Sequence, residues 1–355
     1  MTASTILQAL ADLRIREHEP MARHTNFRIG GPARYYVEAR APEEVTRAVA
    51  AARDVGVPWF ALGGGSNTLV ADSGFDGLVI QLANRGVSIE GTRATAGAGA
   101  ISAAVARAAG AAGLTGFEWA ISLPGTIGGA VRGNAGCFGS ETKDVVESVS
   151  FFPPSHWEGE RLVPARASAC PGPTCPDRDI GSVGGEGEGM MTNAQCTFGY
   201  RHSIFKEHPE WIILEVTLAL TTGNPAECQR RMDEHLARRK AKQPLERPSA
   251  GCLFANVEFE TLNAEQTQRL DAIANGAWRS VAHDGQIPTG WLIERLGLRG
   301  HRVGNVMISE KHGNFVINLG GGTAADVLTL IEAVKGRARE MLGFEFREEV
   351  QRLGC

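Results

Sequence analysis

Two clusters of glycine constrain this chain more than any other feature of it. Gly63-Gly64-Gly65-Ser66-Asn67 follows directly on the apolar run Trp59-Phe60-Ala61-Leu62, and Pro124-Gly125-Thr126-Ile127-Gly128-Gly129 runs on to Asn134-Ala135-Gly136. Glycine accepts positive φ and leaves room beside the backbone, so a glycine loop behind a strand lets peptide N–H groups approach phosphate oxygens. Each cluster is a phosphate-loop candidate, although a tight turn that binds nothing has the same composition. Two clusters within about 70 residues favour a grip on a diphosphate from both sides, with Ser66, Asn67 and Asn134 adding side-chain donors. Neither is the nicotinamide-binding fingerprint G-x-G-x-x-G. Thr68 stands where its last glycine is needed, and Leu69-Val70 continue as apolar strand instead of helix.

Composition narrows the class of partner. The 355 residues carry 36 Lys+Arg against 40 Asp+Glu, a net charge of −4, and offer no basic field for nucleic acid or anionic lipid. At 43% apolar, the chain has material for two or three domains, each with its own core. The seven cysteines, an odd number scattered along the chain, fit a reducing cytosol better than a disulfide framework. Asp12, Arg14, Arg16, Glu17 and Glu19 interrupt the opening leucines, and nowhere do eighteen apolar residues run together. Neither a signal-peptide core nor a membrane span is expected, and a cytoplasmic location follows. No metal is expected: H-E-x-x-H is absent, and Cys170, Cys175 and Cys196 lack good zinc spacing. The P-loop motif and the G-x-S-x-G elbow are absent too.

Hydrophobic periodicity and turn residues place these motifs on elements. Ile6, Leu7, Leu10 and Leu13 predict a short opening helix capped by Thr5, and residues 35–39 predict a strand. Pro42 starts a helix to about Val55 that leads into strand 59–62, a β-α-β unit. Short strands are expected between 78 and 98, and the Ala-rich stretch 100–112 predicts a small-faced helix packed closely on a sheet. The prolines and the Gly/Glu run between 153 and 195 predict an irregular insertion. A strand over 211–220 and a basic helix over 225–240 follow. Val327, Leu330, Ile331, Val334, Ala338 and Met341 share one helical face, with Thr323 and Asp326 spaced as a capping pair and Gly343 as the stop.

One further turn bears on chemistry. Pro248-Ser249-Ala250-Gly251-Cys252 presents a single thiol after the basic run Arg238-Arg239-Lys240-Ala241-Lys242. Taken with Asn26 and Phe27-Arg28-Ile29-Gly30-Gly31-Pro32-Ala33, both glycine clusters, Phe198-Gly199-Tyr200-Arg201-His202-Ser203 and Gln243-Pro244, the turn joins an ordered series of motifs. The series continues through Trp291-Leu292-Ile293-Glu294, Ser309-Glu310-Lys311-His312 and Asn314-Phe315-Val316-Ile317-Asn318 to Glu348-Glu349-Val350. In these motifs the chain resembles the flavin-dependent UDP-N-acetylenolpyruvoylglucosamine reductases of peptidoglycan synthesis, in the form without the extra tyrosine loop of the substrate domain.

The resemblance implies an α+β fold, with a two-part FAD-binding domain of the vanillyl-alcohol-oxidase type and a C-terminal α/β substrate-binding domain. The parts fall at 1–85, at 86–225 with the insertion 153–195, and at 226–342, with 343–355 returning to the first. FAD is the implied cofactor and NADPH the co-substrate, with Gly63, Gly64, Gly65, Ser66, Asn67, Pro124, Gly125, Thr126, Gly128, Gly129, Asn134, Ala135 and Gly136 holding the flavin. Arg201 and Glu349 match the family's residues for stabilising an enolate, and Cys252 falls at its proton donor. Tyr200, Lys240, Lys242, Gln243, Asn256, Ser309, His312 and Asn314 are the candidates for substrate. Glu349 donates a hydrogen bond only if protonated, so its carboxyl is expected to be held up by burial or neighbours. The sequence departs from the commoner pattern at Cys252, where serine is usual, and at Ala255 and Val257, where Lys and Pro are usual. Residues 258–288 are also longer than in compact relatives. Another flavin oxidase or dehydrogenase of the same fold, or a non-catalytic nucleotide-sugar or FAD binder, are the alternatives.

Overall fold

The polypeptide enters on α1 (Thr2–Ala9), which buries Ile6 with Leu10 just beyond its end. The helix is under way by Thr2, so Thr5 lies inside it and is not its cap, contrary to the sequence expectation. The structure, a computed structural model, describes residues 2–153 and 188–355; Cys170, Cys175 and most of the expected insertion lie outside them. The chain divides into two compact units: Met1–Glu38, Ala51–Gln81 and Arg230–Cys355 form one, and Ala39–Ala50 with Leu82–Gln229 the other.

In the first unit β1 (Arg16–Pro20) lies antiparallel to β2 (Pro32–Ala39), with Arg16 opposite Tyr36. After α2 (Pro42–Asp54), whose first turn holds Pro42, Glu43 and Glu44, come β3 (Trp59–Leu62), β4 (Thr68–Val70) and β5 (Phe75–Leu82). The sheet order is β1-β2-β5-β3, so β5 is inserted between the two strands of the expected β-α-β unit, parallel to β3. Strand β4 leaves this sheet and pairs in parallel with the C-terminal strand Gln351–Leu353. Its side chains alternate between two cores: Leu69 packs with Phe254, Ile331 and Phe346, and Val70 with Met21, Tyr36, Leu62 and Leu353. A strand buried on both faces reads as a continuous apolar run, which is how Leu69-Val70 reads.

The long helix Ala324–Leu342 is built as its sequence predicts. Thr323 Oγ1 accepts from the Asp326 N–H at 3.0 Å, the Asp326 carboxylate accepts from the Thr323 N–H at 3.2 Å, and Gly343 stops the helix at φ +75°. Its apolar face is buried from Val327 to Leu342, with Met341 at the margin.

The second unit holds a five-stranded antiparallel sheet. Its order is Gly189–Thr192, Val146–Phe152, Ile212–Ala219, β7 (Arg93–Gly97) and β6 (Val87–Glu90). Residues 189–192 therefore correct the expectation of an irregular segment through 195: the edge strand forms because Met191 is buried and Gly189 lies flat on Phe151, where a Cβ would sit 2.6 Å from the ring. Phe151, Phe205 and Trp211 pack as an aromatic cluster with centroids 5.0–6.4 Å apart. Helix α3 (Ser102–Ala111) buries Ala106, Ala109 and Gly110, the small face its composition predicts, and α4 (Ile127–Arg132) begins inside the second glycine cluster. Among the described residues no helix is long and apolar enough to cross a membrane.

Candidate active site

The first glycine loop leaves β3 and is held from beneath by its own unit. Gln81 Nε2 donates to the carbonyls of Leu62, at 3.3 Å, and Gly63, while the Gly65 carbonyl accepts from the Asn26 N–H at 3.0 Å. In a trans peptide the N–H points opposite to its carbonyl, so the N–H groups of Gly63, Gly64 and Ser66 are turned away from these anchors. Gly65 has φ +59°, and a Cβ there would lie 2.0 Å from the His24 carbonyl, so only glycine fits. A loop with carbonyls drawn inward and amides turned outward suits a diphosphate.

Asn67, at the end of this loop, opens a crossing that joins segments far apart in the sequence. Its Nδ2 donates to the Glu349 carbonyl at 3.0 Å, and its carbonyl accepts from the Gln351 N–H at 2.9 Å. Glu349 N–H donates in turn to the Leu253 carbonyl at 2.8 Å, and Leu253 N–H to the Asn314 carbonyl at 3.0 Å. Cys252 faces Phe315 in an antiparallel bridge, entering from a turn in which Gly251 has φ +81° and donates its N–H to Ser249 Oγ at 3.2 Å. Four sequence-predicted residues, Asn67, Cys252, Asn314 and Glu349, are thereby brought to one hydrogen-bonded junction. Neighbouring Glu348 takes the structural pairing: Lys335 and Arg352 grip its carboxylate, and although burial opposes them they hold it below the ordinary carboxylate range.

The candidates for substrate in this unit divide by what their side chains do. Asn314, 3% exposed, accepts from the Phe254 N–H at 3.0 Å and donates to the Phe254 carbonyl at 2.7 Å. It mimics a strand partner for the cysteine turn. Ser309, 2% exposed, accepts from the Lys311 N–H at 3.1 Å within its own turn. His312 Nδ1 accepts from the Asn314 N–H at 3.2 Å, and burial pushes its imidazole below the usual value against the pull of Glu294. Asn256 is engaged by Gln286 and the Thr289 N–H. Lys240 and Lys242 are exposed at the end of helix Pro225–Lys242, and Lys311 Nζ donates to the Lys240 carbonyl at 2.6 Å. Gln243 follows with a buried Oε1 that has no hydrogen-bond partner among the described residues.

In the second unit the other glycine cluster is folded over the end of β7. The N–H groups of Ile127 and Gly128 donate to the Ala100 and Ala98 carbonyls at 2.8 and 3.0 Å, and that of Gly129 to Thr126 Oγ1 at 3.4 Å. These three amides serve the protein, so what they contribute at α4 is closeness of approach. At Gly128 a Cβ would lie 2.8 Å from that of Ala98, whereas at Gly129 it would meet only Thr126 Oγ1, at 3.6 Å. Internal packing therefore demands glycine at the former and leaves room beside the latter for another molecule. Ala135 accepts from Thr142, and Gly136 opens a short strand against Ser140–Glu141.

Asn134 is held by the protein on every side. It is fully buried, its Nδ2 donates to Glu141 at 3.1 Å and to the Gly199 carbonyl at 2.9 Å, and its Oδ1 accepts from the Lys143 N–H. Both amide protons are committed, so it braces a loop and does not reach a phosphate. The loop it braces carries Arg201: Gly199 and His202 exchange backbone hydrogen bonds at 3.1 Å, leaving Tyr200 and Arg201 at the tip of a tight turn. Arg201 sits at φ +53°, a conformation that costs a non-glycine residue about 1–2 kcal/mol. Its guanidinium lies 5.7 Å from the Tyr200 ring and 3.5 Å from the Gly136 carbonyl, and its own carbonyl accepts from Lys206 at 2.7 Å. Of the residues that position these groups, sequence reasoning missed Gln81, whose only signal is an amide closing the apolar run Leu78-Val79-Ile80.

Comparison with known proteins identifies the family. Residues 33–155, which contain both glycine clusters, match a FAD binding domain, and residues 243–353 match the C-terminal domain of UDP-N-acetylenolpyruvoylglucosamine reductase. Proteins named UDP-N-acetylenolpyruvoylglucosamine reductase from Solibacter usitatus and Paracoccus denitrificans are 33% and 39% identical over 348 and 334 residues. The matches cover 98% and 93% of this chain and 99% and 92% of theirs. The crystal structure of the reductase from Thermus caldophilus aligns with a TM-score of 0.68 at 30% identity, over 96% of this chain and 99% of that one. With relatives of this identity matched over nearly their whole lengths, this chain belongs to the UDP-N-acetylenolpyruvoylglucosamine reductases, FAD-dependent oxidoreductases of α+β fold.

Proposed function

We propose that this chain reduces UDP-N-acetylglucosamine enolpyruvate to UDP-N-acetylmuramate with NADPH as reductant, in peptidoglycan precursor synthesis in the cytoplasm. Its partners are these small molecules, and neither nucleic acid nor membrane is required. The observation that carries the reading is the junction of Asn67, Cys252 and Glu349, which ties the first glycine loop to an acid and a thiol from the far end of the chain. We assign residues 1–85 and 86–225 to holding the flavin and 226–342 to the substrate, with 343–355 returning to the first part.

When bound, FAD carries hydride between the nicotinamide and the substrate. Gly63–Asn67 would hold its diphosphate with outward amides, and Gly125, Gly129 and Ala135 would give it room. As the substrate's methylene carbon gains hydride, negative charge develops toward the carboxylate as an enolate. The Arg201 guanidinium and a protonated Glu349 are assigned to stabilise it, and the strained, braced turn under Arg201 supports a residue held for a charge-binding task. Cys252 is assigned to deliver the proton to the carbon beside the carboxylate; a thiol, with an ordinary pKa of about 8.5, is a better acid than the usual serine. Lys240, Lys242, Gln243 and Tyr200 are candidates for the diphosphate and sugar, and the unpaired buried Gln243 Oε1 supports a donor arriving there.

The test is an anaerobic visible spectrum. The flavin bands should bleach with NADPH and return on adding the enolpyruvate; bleaching without return rejects the substrate. In Cys252→Ala the bleaching should be unchanged and the return slower by roughly 10²- to 10⁴-fold.

A further inference from the structure

We infer that Glu19, His24, Tyr36 and Gln81 form a positioning chain that orients and polarises the peptide groups of the first glycine loop; this rests on reading that loop as the flavin's diphosphate loop. The contacts are continuous within one unit. Gln81 donates Nε2 to the carbonyls of Leu62 and Gly63. Two carbonyls at one end of the amide settle its orientation, since an oxygen turned that way would face two more oxygens. Oε1 therefore faces Tyr36, whose hydroxyl donates to it at 3.5 Å. The same hydroxyl lies 3.1 Å from His24 Nδ1, and His24 Nε2 lies 2.9 Å from Glu19 Oε1.

The hydrogen bond from His24, more than any other neighbour, holds the Glu19 carboxyl below its ordinary value, which keeps it an acceptor. Other charged groups face the pair: Arg16 lies 3.4 Å from Glu19 and 5.1 Å from the centre of the Tyr36 ring, and also pairs with Glu38, while Arg23 adds positive field at Glu19. The His24 and Glu19 side chains are only 16% and 11% exposed and Tyr36 is buried, so the links act in a shielded setting.

The chain ends on the loop at the Gln81 amide, which donates to the Leu62 and Gly63 carbonyls. Drawing on a carbonyl strengthens its own peptide N–H as a donor, and the peptides concerned carry the Gly63 and Gly64 amides that are turned outward. The His24–Asn26 segment also fixes the loop's other end, through the His24 carbonyl against Gly65 and the Asn26 N–H on the Gly65 carbonyl. Tyr36, His24 and Gln81 are thus positioning residues that act on an anion through backbone amides.

The experiment measures FAD affinity of the flavin-stripped full chain by flavin fluorescence for wild type, Tyr36→Phe and His24→Gln. Besides the affinity, the phosphorus resonances of the bound diphosphate are recorded, which report the amides around it and which a merely structural change elsewhere would leave in place. Tyr36→Phe, which keeps the ring and removes the link, should weaken binding roughly three- to tenfold and shift those resonances, as should His24→Gln. Should Tyr36→Phe fail to fold, His24→Gln at its partly exposed position carries the same comparison. Variants with wild-type affinity, or weakened binding with unshifted resonances, overturn the inference. A wild-type chain that does not bind FAD instead overturns the flavin reading beneath it.

Discussion

At the scale of single residues, a polar side chain beside the candidate chemistry is as often a brace as a ligand, and burial decides which. Asn314 and Asn134 sit in motifs that point to binding, yet each spends its amide on a backbone it holds in place. Asn314→Ala strands a buried N–H and a buried carbonyl of Phe254, and should lower the unfolding free energy by about 2–3 kcal/mol in urea titrations. A loss under about 0.5 kcal/mol would show that the brace is dispensable. Thiols separate in the same way. Cys196 is fully buried and its thiol is pushed up to about 12 by desolvation, whereas Cys252 is partly exposed. Brief treatment with iodoacetamide followed by peptide mapping should find Cys252 modified and Cys196 intact; modification of Cys196 first would contradict the packing.

At the scale of elements, local rules hold and distant partners supplement them. The capping box of helix Ala324–Leu342 is legible in Thr323 and Asp326 three residues apart, and Gly343 stops the helix as its φ requires. A further cap comes from Asp72, just past β4, whose carboxylate accepts from the N–H groups of Ala324 and Ala325 at 2.7 and 3.0 Å. Those two amides are among the four that every helix leaves unpaired at its start, and a carboxylate there also meets the positive end of the helix dipole. Asp72→Ala should cost about 1 kcal/mol of stability, read as a lower urea midpoint at unchanged slope. No periodicity announces this contact, because its two sides are 252 positions apart.

At the scale of the whole molecule, its carboxylates should set how it meets acid. Glu348 is gripped by Lys335 and Arg352, Glu118 accepts from Thr115 and the Gly116 N–H, and Glu19 is paired with His24. For Glu348 and Glu118 burial alone would raise the carboxyl, and these donors outweigh it; in all three the folded value lies below the ordinary one. Such groups add stability that is fully present above the unfolded value, near 4, and is lost as pH falls through the lower folded values. The urea midpoint should hold steady down to about pH 5 and drop below about pH 4, and Glu348→Gln should reduce that drop. A midpoint that rises on acidification would contradict the pairing.

The order of residues was enough for what depends on neighbours in sequence. Glycine after an apolar run marks a loop that needs positive φ, short apolar runs mark β4 and β5, and the threefold-to-fourfold repeat from Val327 to Met341 marks a helix face. These signals are local because backbone sterics and side-chain direction are local. The tertiary structure alone decided that β4 pairs with Gln351–Leu353, that Asn67 holds the Glu349 backbone, and that Gly189–Thr192 is an edge strand at the end of a Gly/Glu run. Those contacts depend on which buried N–H and carbonyl groups find partners once the core has closed, and partners separated by hundreds of residues leave no period in the chain.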